Sequence, residues 1–329
     1  MKNIFCLILI TLVLIVIASL VQICQAQPAL PVGGARGEAG VRSGRGMMGM
    51  PKAGVVPLPI LPALPAYDDT EFYAQKDVPH GKVEQASYEN YAGQKKRMHI
   101  YLPPDYDENT DIRYPVLYLN HGGGDDDSKW INDDQRSGGN AHFILDNLIA
   151  ASKAKPMIIV MPNTRGIAAY NSSAPGVDDA CTQEYLKDII PYVDNHYRTK
   201  ANRENRALAG LSMGGFVVIH TGLPHLDTFS ELYVYSSGHT SEEALNAFEE
   251  NFKDLFENAD STNDLFRVPF YMAAGETDMA LKNGQKVLAL FNKAGIRNFW
   301  VLSSGGHEWA NWRRYLYQTA QIMFPENSK

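Results

Sequence analysis

The chain has few cysteines and no large basic cluster, and each shortage excludes a class of protein. Cys6 and Cys24 lie in an apolar N-terminal stretch, so Cys181 is the only cysteine in the rest of the 329 residues and no disulfide is expected within it. A domain of this size can bury a sufficient core without one. The formal net charge is −7 and the largest basic group is Lys95-Lys96-Arg97, so the sequence does not indicate nucleic-acid binding.

The sequence also lacks any array of histidine, cysteine and carboxylate residues with the spacing of metal ligands. Asp125, Asp126 and Asp127 form an acidic group, but without further ligands in a suitable array they predict a solvated loop. Cys181 has no histidine-bearing motif around it and is predicted to be a packing residue. We therefore expect no metal and no cofactor.

Two segments precede the predicted folded domain. Lys2, the apolar run Ile4–Val21 and the small residue Ala26 predict a signal peptide over residues 1–26, and the length of the run leaves an uncleaved membrane anchor as the alternative. Residues 27–66 are rich in Gly, Pro and Ala without a hydrophobic period, which predicts a flexible spacer. The expected location is secreted or periplasmic, away from the membrane once the signal is cleaved.

Residues 67–329 have the pattern of one α/β domain. Val83–Tyr88 and Arg97–Leu102 predict an antiparallel pair of strands. Buried strands are then predicted at Tyr114–Asn120, Met157–Met161, Ala207–Leu211, Leu232–Tyr235, Val268–Ala273 and Phe299–Leu302. Helices are predicted at Ala141–Ser152, at Thr182–His196 despite Pro191, from Gly214 onward and at Leu281–Lys293. This alternation predicts a mostly parallel central sheet with helices on both faces, and places ligands beyond the carboxyl ends of the strands.

The motif Gly210-Leu211-Ser212-Met213-Gly214 lies between a predicted strand and a predicted helix. A reversal this sharp leaves no room for side chains beside the serine, so glycine is needed at both flanks and the hydroxyl is lifted clear of the backbone. The following helix N-terminus favours developing negative charge. We interpret Ser212 as a nucleophile.

A glycine run, His121-Gly122-Gly123-Gly124, directly follows the Tyr114–Asn120 strand. Acyl transfer passes through an oxyanion that needs backbone N–H donors, and glycine lets the backbone approach closely. The expected donors are the N–H groups of Met213 and Gly123, with Gly122 as the alternative to Gly123 and a substrate contact.

A serine hydroxyl needs a general base with a pKa near neutrality and a carboxylate to orient that base. His307, in Gly305-Gly306-His307-Glu308-Trp309, follows one predicted strand, and Asp278 follows another. The chain order Ser212, Asp278, His307 is the one expected of an α/β-hydrolase fold. Glu276 is the alternative acid, whereas Glu308 would have to fold back to reach the base.

Two tryptophans and several histidines are further candidates for the site. Trp130 and Trp309 lie near it in sequence and could pack against a phenolic acyl group or a sugar, although ordinary core packing explains them equally well. His121 is expected to shape the oxyanion loop. The remaining histidines have no partner motif or are poorly placed: His80, His99, His142, His196, His220, His225 and His239.

With these motifs in place, the domain resembles carbohydrate esterase family 1, the feruloyl and acetylxylan esterases of an esterase D-like group. The resemblance runs from about Asp77 to the C-terminus. It is carried by residues 114–124, 155–163 and 210–215, by the turn at 275–278, and by Gly306-His307-Glu308-Trp309.

The resemblance implies a serine esterase that acts on feruloylated or acetylated xylan-type polysaccharide, most directly on feruloyl esters of arabinoxylan. By motif match, Ser212, Asp278 and His307 take the triad roles, and Gly123 and Met213 the oxyanion roles. An acetylxylan or siderophore esterase is the alternative within this class. A carbohydrate-binding protein without catalysis is the alternative of another class, because fold alone does not fix function.

Overall fold

The computed structural model describes residues 60–164 and 179–325; the predicted signal peptide and most of the predicted spacer lie outside them. The described residues form an eight-stranded sheet of order β1-β2-β4-β3-β5-β6-β7-β8. Strand β2 is antiparallel to β1 and β4, and all other neighbours are parallel. The strands are β1 (Lys82–Glu89), β2 (Lys95–Leu102), β3 (Val116–Asn120), β4 (Ile158–Pro162), β5 (Arg206–Leu211), β6 (Glu231–Tyr235), β7 (Phe270–Gly275) and β8 (Asn298–Ser303).

Helices connect the parallel strands of this sheet. They are α1 (Ala141–Ala150), α2 (Ala180–Glu184), α3 (Ile190–His196), α4 (Met213–Val217), α5 (Glu242–Asn251), α6 (Lys253–Glu257), α7 (Ala259–Leu265), α8 (Leu281–Ala294) and α9 (Trp309–Ala320). Two π-helical turns, Tyr185–Ile189 and Val218–Gly222, follow α2 and α4. Among the helices of the described ranges, none is both long and apolar enough to cross a membrane.

The sheet separates two hydrophobic layers because successive strand residues point to opposite faces. In β3, Val116 and Tyr118 join the layer that contains side chains of α3, α5 and α8. Leu117 and Leu119 join the layer that contains side chains of α1 and α9. The predicted fold, a mostly parallel sheet with helices on both faces, is confirmed.

The helical segment around Pro191 shows how the sequence accommodates a residue without an N–H. Pro191 cannot donate to the carbonyl four residues earlier, which would break a regular helix. The π-helical turn Tyr185–Ile189 lies directly before α3, and Pro191 occupies the first turn of α3, where that donor is not needed. The segment therefore remains helical, as predicted.

The folded domain begins earlier than Tyr67. Leu61 and Leu64 pack against the core layer that includes α9. The carbonyl of Pro65 accepts a hydrogen bond from Arg314 Nε at 2.8 Å, and the carbonyl of Pro62 accepts one from Gln318 Nε2 at 2.5 Å. Residues 60–66 therefore belong to the folded domain, and the predicted spacer boundary is corrected accordingly. Residues 27–66 are rich in proline and glycine, so the sequence pattern did not predict that the few apolar residues at the end of this segment pack against the core.

Candidate active site

Ser212 lies at the sharp turn between β5 and α4, with φ 52° and ψ −117°. This backbone conformation is strained for a residue other than glycine, and such strain persists only where the surroundings impose it. A Cβ on Gly210 would lie 2.4 Å from the carbonyl of Gly214, and one on Gly214 would lie 2.5 Å from the carbonyl oxygen of His121. The close approach of backbone to backbone therefore explains both flanking glycines.

The loop after β8 brings His307 to this serine. His307 Nε2 lies 2.9 Å from Ser212 Oγ, which is hydrogen-bond distance for proton transfer. The ring of Trp312 packs edge-on against the imidazole, with centroids 5.0 Å apart. The Gly306 carbonyl accepts a hydrogen bond from Asn311 Nδ2 at 3.0 Å, so α9 fixes the loop that carries the histidine.

Asp278 lies on the other side of the imidazole, in the turn after β7. Its Oδ1 is 2.8 Å from His307 Nδ1 and accepts the Ala280 N–H at 2.7 Å. Burial of this carboxylate opposes its ionisation, but hydrogen bonds from His307, Ser236 and the Ala280 N–H outweigh it, and the pKa of Asp278 is lowered. The group is therefore a carboxylate at neutral pH.

The two alternative acids lie elsewhere. Glu276 is exposed to solvent. Glu308 Oε1 accepts the N–H of Gly306 at 2.8 Å, so it shapes the loop instead of bracing the imidazole. Of the three carboxylates considered from the sequence, the structure brings Asp278 to His307.

The glycine loop after β3 lies beside the serine. A Cβ on Gly122 would be 2.6 Å from Leu211 Cδ1 and 3.4 Å from Ser212 Cβ, and one on Gly123 would be 3.0 Å from Met213 Cγ. The loop is held by His121, whose Nδ1–H donates to the Gly122 carbonyl at 2.8 Å and whose Nε2 accepts the Thr164 N–H at 3.2 Å. Gly122, Gly123 and Met213 are thus grouped around Ser212, where oxyanion donors would be required.

The sequence predicted that the acidic residues after the glycine loop form a solvated loop. In the structure, Asp126 and Asp127 instead form ion pairs with Arg97. Asp127 is buried, and its carboxylate lies 2.8 Å from Arg97 Nε and 2.8 Å from His99 Nδ1. Arg97 Nη2 also donates to Asp126 at 3.1 Å. Burial acts against ionisation of Asp127, but the partners His99 and Arg97 outweigh it and lower its pKa. The antiparallel strand β2 therefore anchors the end of the glycine loop.

Replacement of Arg97 by glutamine is expected to lower kcat/KM for an ester about tenfold, since a small displacement of catalytic donors is costly. The change leaves Asp127 buried without its guanidinium partner, so the glycine loop loses its fixed position. Hydrolysis of an aryl acetate measures the effect. Arg136→Gln, the same change at an exposed loop arginine, is the control and is expected to match wild type. Equal activity of the two variants would contradict the proposed anchoring.

A cavity of about 380 Å³ opens beside Ser212 and His307. Phe216, His239, Met279 and Asn283 are among its lining residues, and none of the residues lining it is Asp, Glu, Lys or Arg. The sequence did not indicate that these residues belong to the site, because they come from four separate elements and form no local motif. A larger cavity of about 650 Å³ lies near the amino ends of β3 and β4, away from the serine.

Trp130 and Trp309, considered from the sequence as substrate contacts, lie in the core instead. Trp130 is 1% exposed, and its Nε1–H donates to the Asn120 carbonyl at 2.9 Å. Its ring packs edge-on against that of Trp309, with centroids 5.2 Å apart. Both rings are buried and neither lines the cavity beside Ser212. They therefore belong to the core packing around the site and not to a substrate-contacting surface.

Within residues 60–164 and 179–325, no group of three or more His, Cys, Asp or Glu side chains is arranged to hold a metal ion. The arrangement that is present joins a hydroxyl, an imidazole and a carboxylate in hydrogen-bonded order at the carboxyl ends of β5, β8 and β7. Together with the sheet order, this arrangement defines an α/β-hydrolase fold.

The chain belongs to the esterase family, because the family model described as "Putative esterase" matches residues 89–322. The resemblance to an esterase family that was inferred from the sequence is confirmed. The chain is 31% identical over 264 residues to an endo-1,4-beta-xylanase/feruloyl esterase of Xylanibacter ruminicola, covering 78% of this chain and 33% of that protein. It is also 26% identical over 271 residues to endo-1,4-beta-xylanase Y of Acetivibrio thermocellus, covering 75% of this chain and 23% of that protein.

Two solved structures have a similar fold. A ferulic acid esterase matches with a TM-score of 0.62 at 26% identity, covering 75% of this chain and 99% of the other. The feruloyl esterase module from Clostridium thermocellum, complexed with sinapinate, matches with a TM-score of 0.64 at 20% identity, covering 83% and 96%. The chain thus spans a third or less of the two curated relatives but nearly the full length of these two solved chains.

Proposed function

We propose that the protein hydrolyses feruloyl esters of arabinoxylan through a covalent acyl-enzyme on Ser212. The observation that carries this proposal is the hydrogen-bonded chain Ser212–His307–Asp278, which opens onto a cavity without acidic or basic side chains other than histidine. The names of the similar proteins, a xylanase/feruloyl esterase and a ferulic acid esterase, support the choice of substrate.

The proposed reaction has two steps. Ser212 Oγ attacks the ester carbonyl while His307 Nε2 takes its proton, and the N–H groups of Met213 and Gly123 hold the oxyanion. His307 then gives the proton to the sugar oxygen of the ester as its bond to the acyl carbon breaks, so the sugar leaves as a hydroxyl and the acyl group remains on the serine. A water molecule, deprotonated by the same histidine, releases the acid and restores the serine. Asp278 keeps the Nδ1 proton in place and stabilises the imidazolium.

The size of the cavity favours an aromatic acyl group. Cavities of several hundred Å³ hold groups the size of a small ligand, whereas a polysaccharide chain must remain outside. The phenolic acyl group would therefore occupy the cavity and the sugar would lie at its mouth. An acetyl group would fill only a small part of this volume.

Export through the N-terminal segment, predicted over residues 1–26, would bring the enzyme to such a polymer.

An activity panel on the purified protein tests this function. We expect ferulate release from feruloylated arabinoxylan with a kcat/KM at least about tenfold above acetate release from acetylated xylan, a margin that a fitted apolar pocket can provide. A siderophore ester is expected to be a poor substrate. Faster release of acetate would instead indicate an acetylxylan esterase, and faster hydrolysis of the siderophore ester would indicate a siderophore esterase. Binding to xylan without turnover of any ester would contradict catalysis.

A further inference from the structure

Several polar residues that line the cavity beside Ser212 take no part in the proposed mechanism, and His239 is one of them. This residue lies in the loop after β6 and lines the cavity, yet it is only 1% exposed. Neither of its ring nitrogens has a hydrogen-bond partner among the described residues. An unsatisfied buried polar group of this kind is costly, so its presence in a ligand cavity requires an explanation.

The side-chain rings packed around His239 are aromatic. Its ring centroid lies 4.8 Å from that of Phe248 and 6.1 Å from that of Phe216. Behind it lies His220, also buried and also without a partner on either nitrogen, with ring centroids 5.1 Å apart at 83°. The two imidazoles therefore do not satisfy each other.

His239 is a neutral imidazole in this position. Burial, followed by the charge of Lys286, lowers the pKa of His239 to about 4. A neutral imidazole has one N–H donor and one acceptor nitrogen. A hydroxyl group can both donate and accept a hydrogen bond, so it can pair with either tautomer. A charged group would have to lose its hydration in a cavity whose lining contains no Asp, Glu, Lys or Arg side chain.

We propose that His239 is the specificity-determining residue that recognises a hydroxyl group on the acyl part of the ester. The inference rests on the proposed function, because it assumes that the acyl group enters the cavity while the polymer remains outside. A hydroxyl on the aromatic ring forms a hydrogen bond with His239, and an acyl group without this hydroxyl leaves the imidazole unpaired. His239 thus separates hydroxylated from unsubstituted phenylpropenoyl esters.

The test compares methyl 4-hydroxycinnamate and methyl 3-hydroxycinnamate with methyl cinnamate. Wild type is expected to favour at least one hydroxylated ester about tenfold in kcat/KM over methyl cinnamate. In His239→Phe and His239→Leu this ratio, measured within each variant, is expected to fall to about one. His239→Gln, which keeps a donor and an acceptor, is expected to retain part of the preference. His142→Phe, the same change at a histidine of α1 outside the cavity, is the control and should keep the wild-type ratio.

The outcomes separate the two proposals. No hydrolysis of any of the three esters by wild type would overturn both the proposed function and the role of His239. Hydrolysis by wild type without preference for a hydroxylated ester would overturn the role of His239 alone, even if the variants fail to fold. An unchanged preference in His239→Phe and His239→Leu would also overturn it.

Discussion

Substitution of Ser212 by alanine is expected to lower kcat by about 10⁶-fold, because the acyl-enzyme can no longer form and only binding and oxyanion stabilisation remain. The hydroxyl is the group that His307 Nε2 contacts at 2.9 Å, so its removal also leaves the imidazole without a proton to accept. Stopped-flow release of nitrophenol from an aryl acetate measures the change, and the burst that reports acylation should disappear.

Two variants control for this result. Ser304→Ala makes the same change at an exposed serine of the loop before His307 and should preserve the burst. Cys181→Ala should preserve it as well, since Cys181 is buried and burial raises the pKa of its thiol well above the ordinary value. A burst that survives in Ser212→Ala, or that is lost in Cys181→Ala, would contradict Ser212 as nucleophile.

The replacement Asp278→Asn is expected to lower kcat about 10⁴-fold at neutral pH. An amide at this position can donate to His307 Nδ1, which places the imidazole proton on Nε2 and prevents Nε2 from accepting the serine proton. Because the pKa of Asp278 is lowered, its carboxylate protonates only below the range that is ordinary for aspartate. Loss of wild-type activity in mildly acidic solution should therefore not come from this group. Steady-state rates of wild type and Asp278→Asn between pH 5 and 9 measure the loss of kcat in the variant and the pH dependence of wild type.

Glu276→Gln provides the matched control for this prediction. It neutralises an exposed carboxylate two residues away on the same turn, so its activity should stay close to that of wild type. If Asp278→Asn kept more than about a tenth of the activity, or if Glu276→Gln lost as much, the assignment of the acid would be wrong.

The strands and their order along the chain were accessible from the sequence because buried parallel strands have continuous apolar runs. Ser212, Asp278 and His307 could be selected because each follows such a run, and parallel strands bring their carboxyl ends to one edge of the sheet. Local chemistry and a general topological rule were enough to predict that these three residues meet.

Other features could not be predicted because they depend on contacts between distant segments. Asp127 looked like part of a solvated acidic loop, and only the position of β2 shows that Arg97 pairs with it. Trp130 could equally have faced a substrate, and its burial depends on the packing of α9. His239 has no neighbour in sequence that marks it, since the cavity that it lines is built from several elements.

The contacts of residues 60–66 have a practical consequence for anyone who shortens this protein for expression. Arg314 is held by the Pro65 carbonyl and by Asn311 Oδ1, and Asn311 in turn holds the Gly306 carbonyl beside the general base. A recombinant domain that started at Tyr67 would leave a buried guanidinium without one of its acceptors and would weaken the support of the histidine loop. A stable shortened protein should therefore start no later than Ile60, although the proline-rich sequence of residues 60–66 suggests that they can be removed.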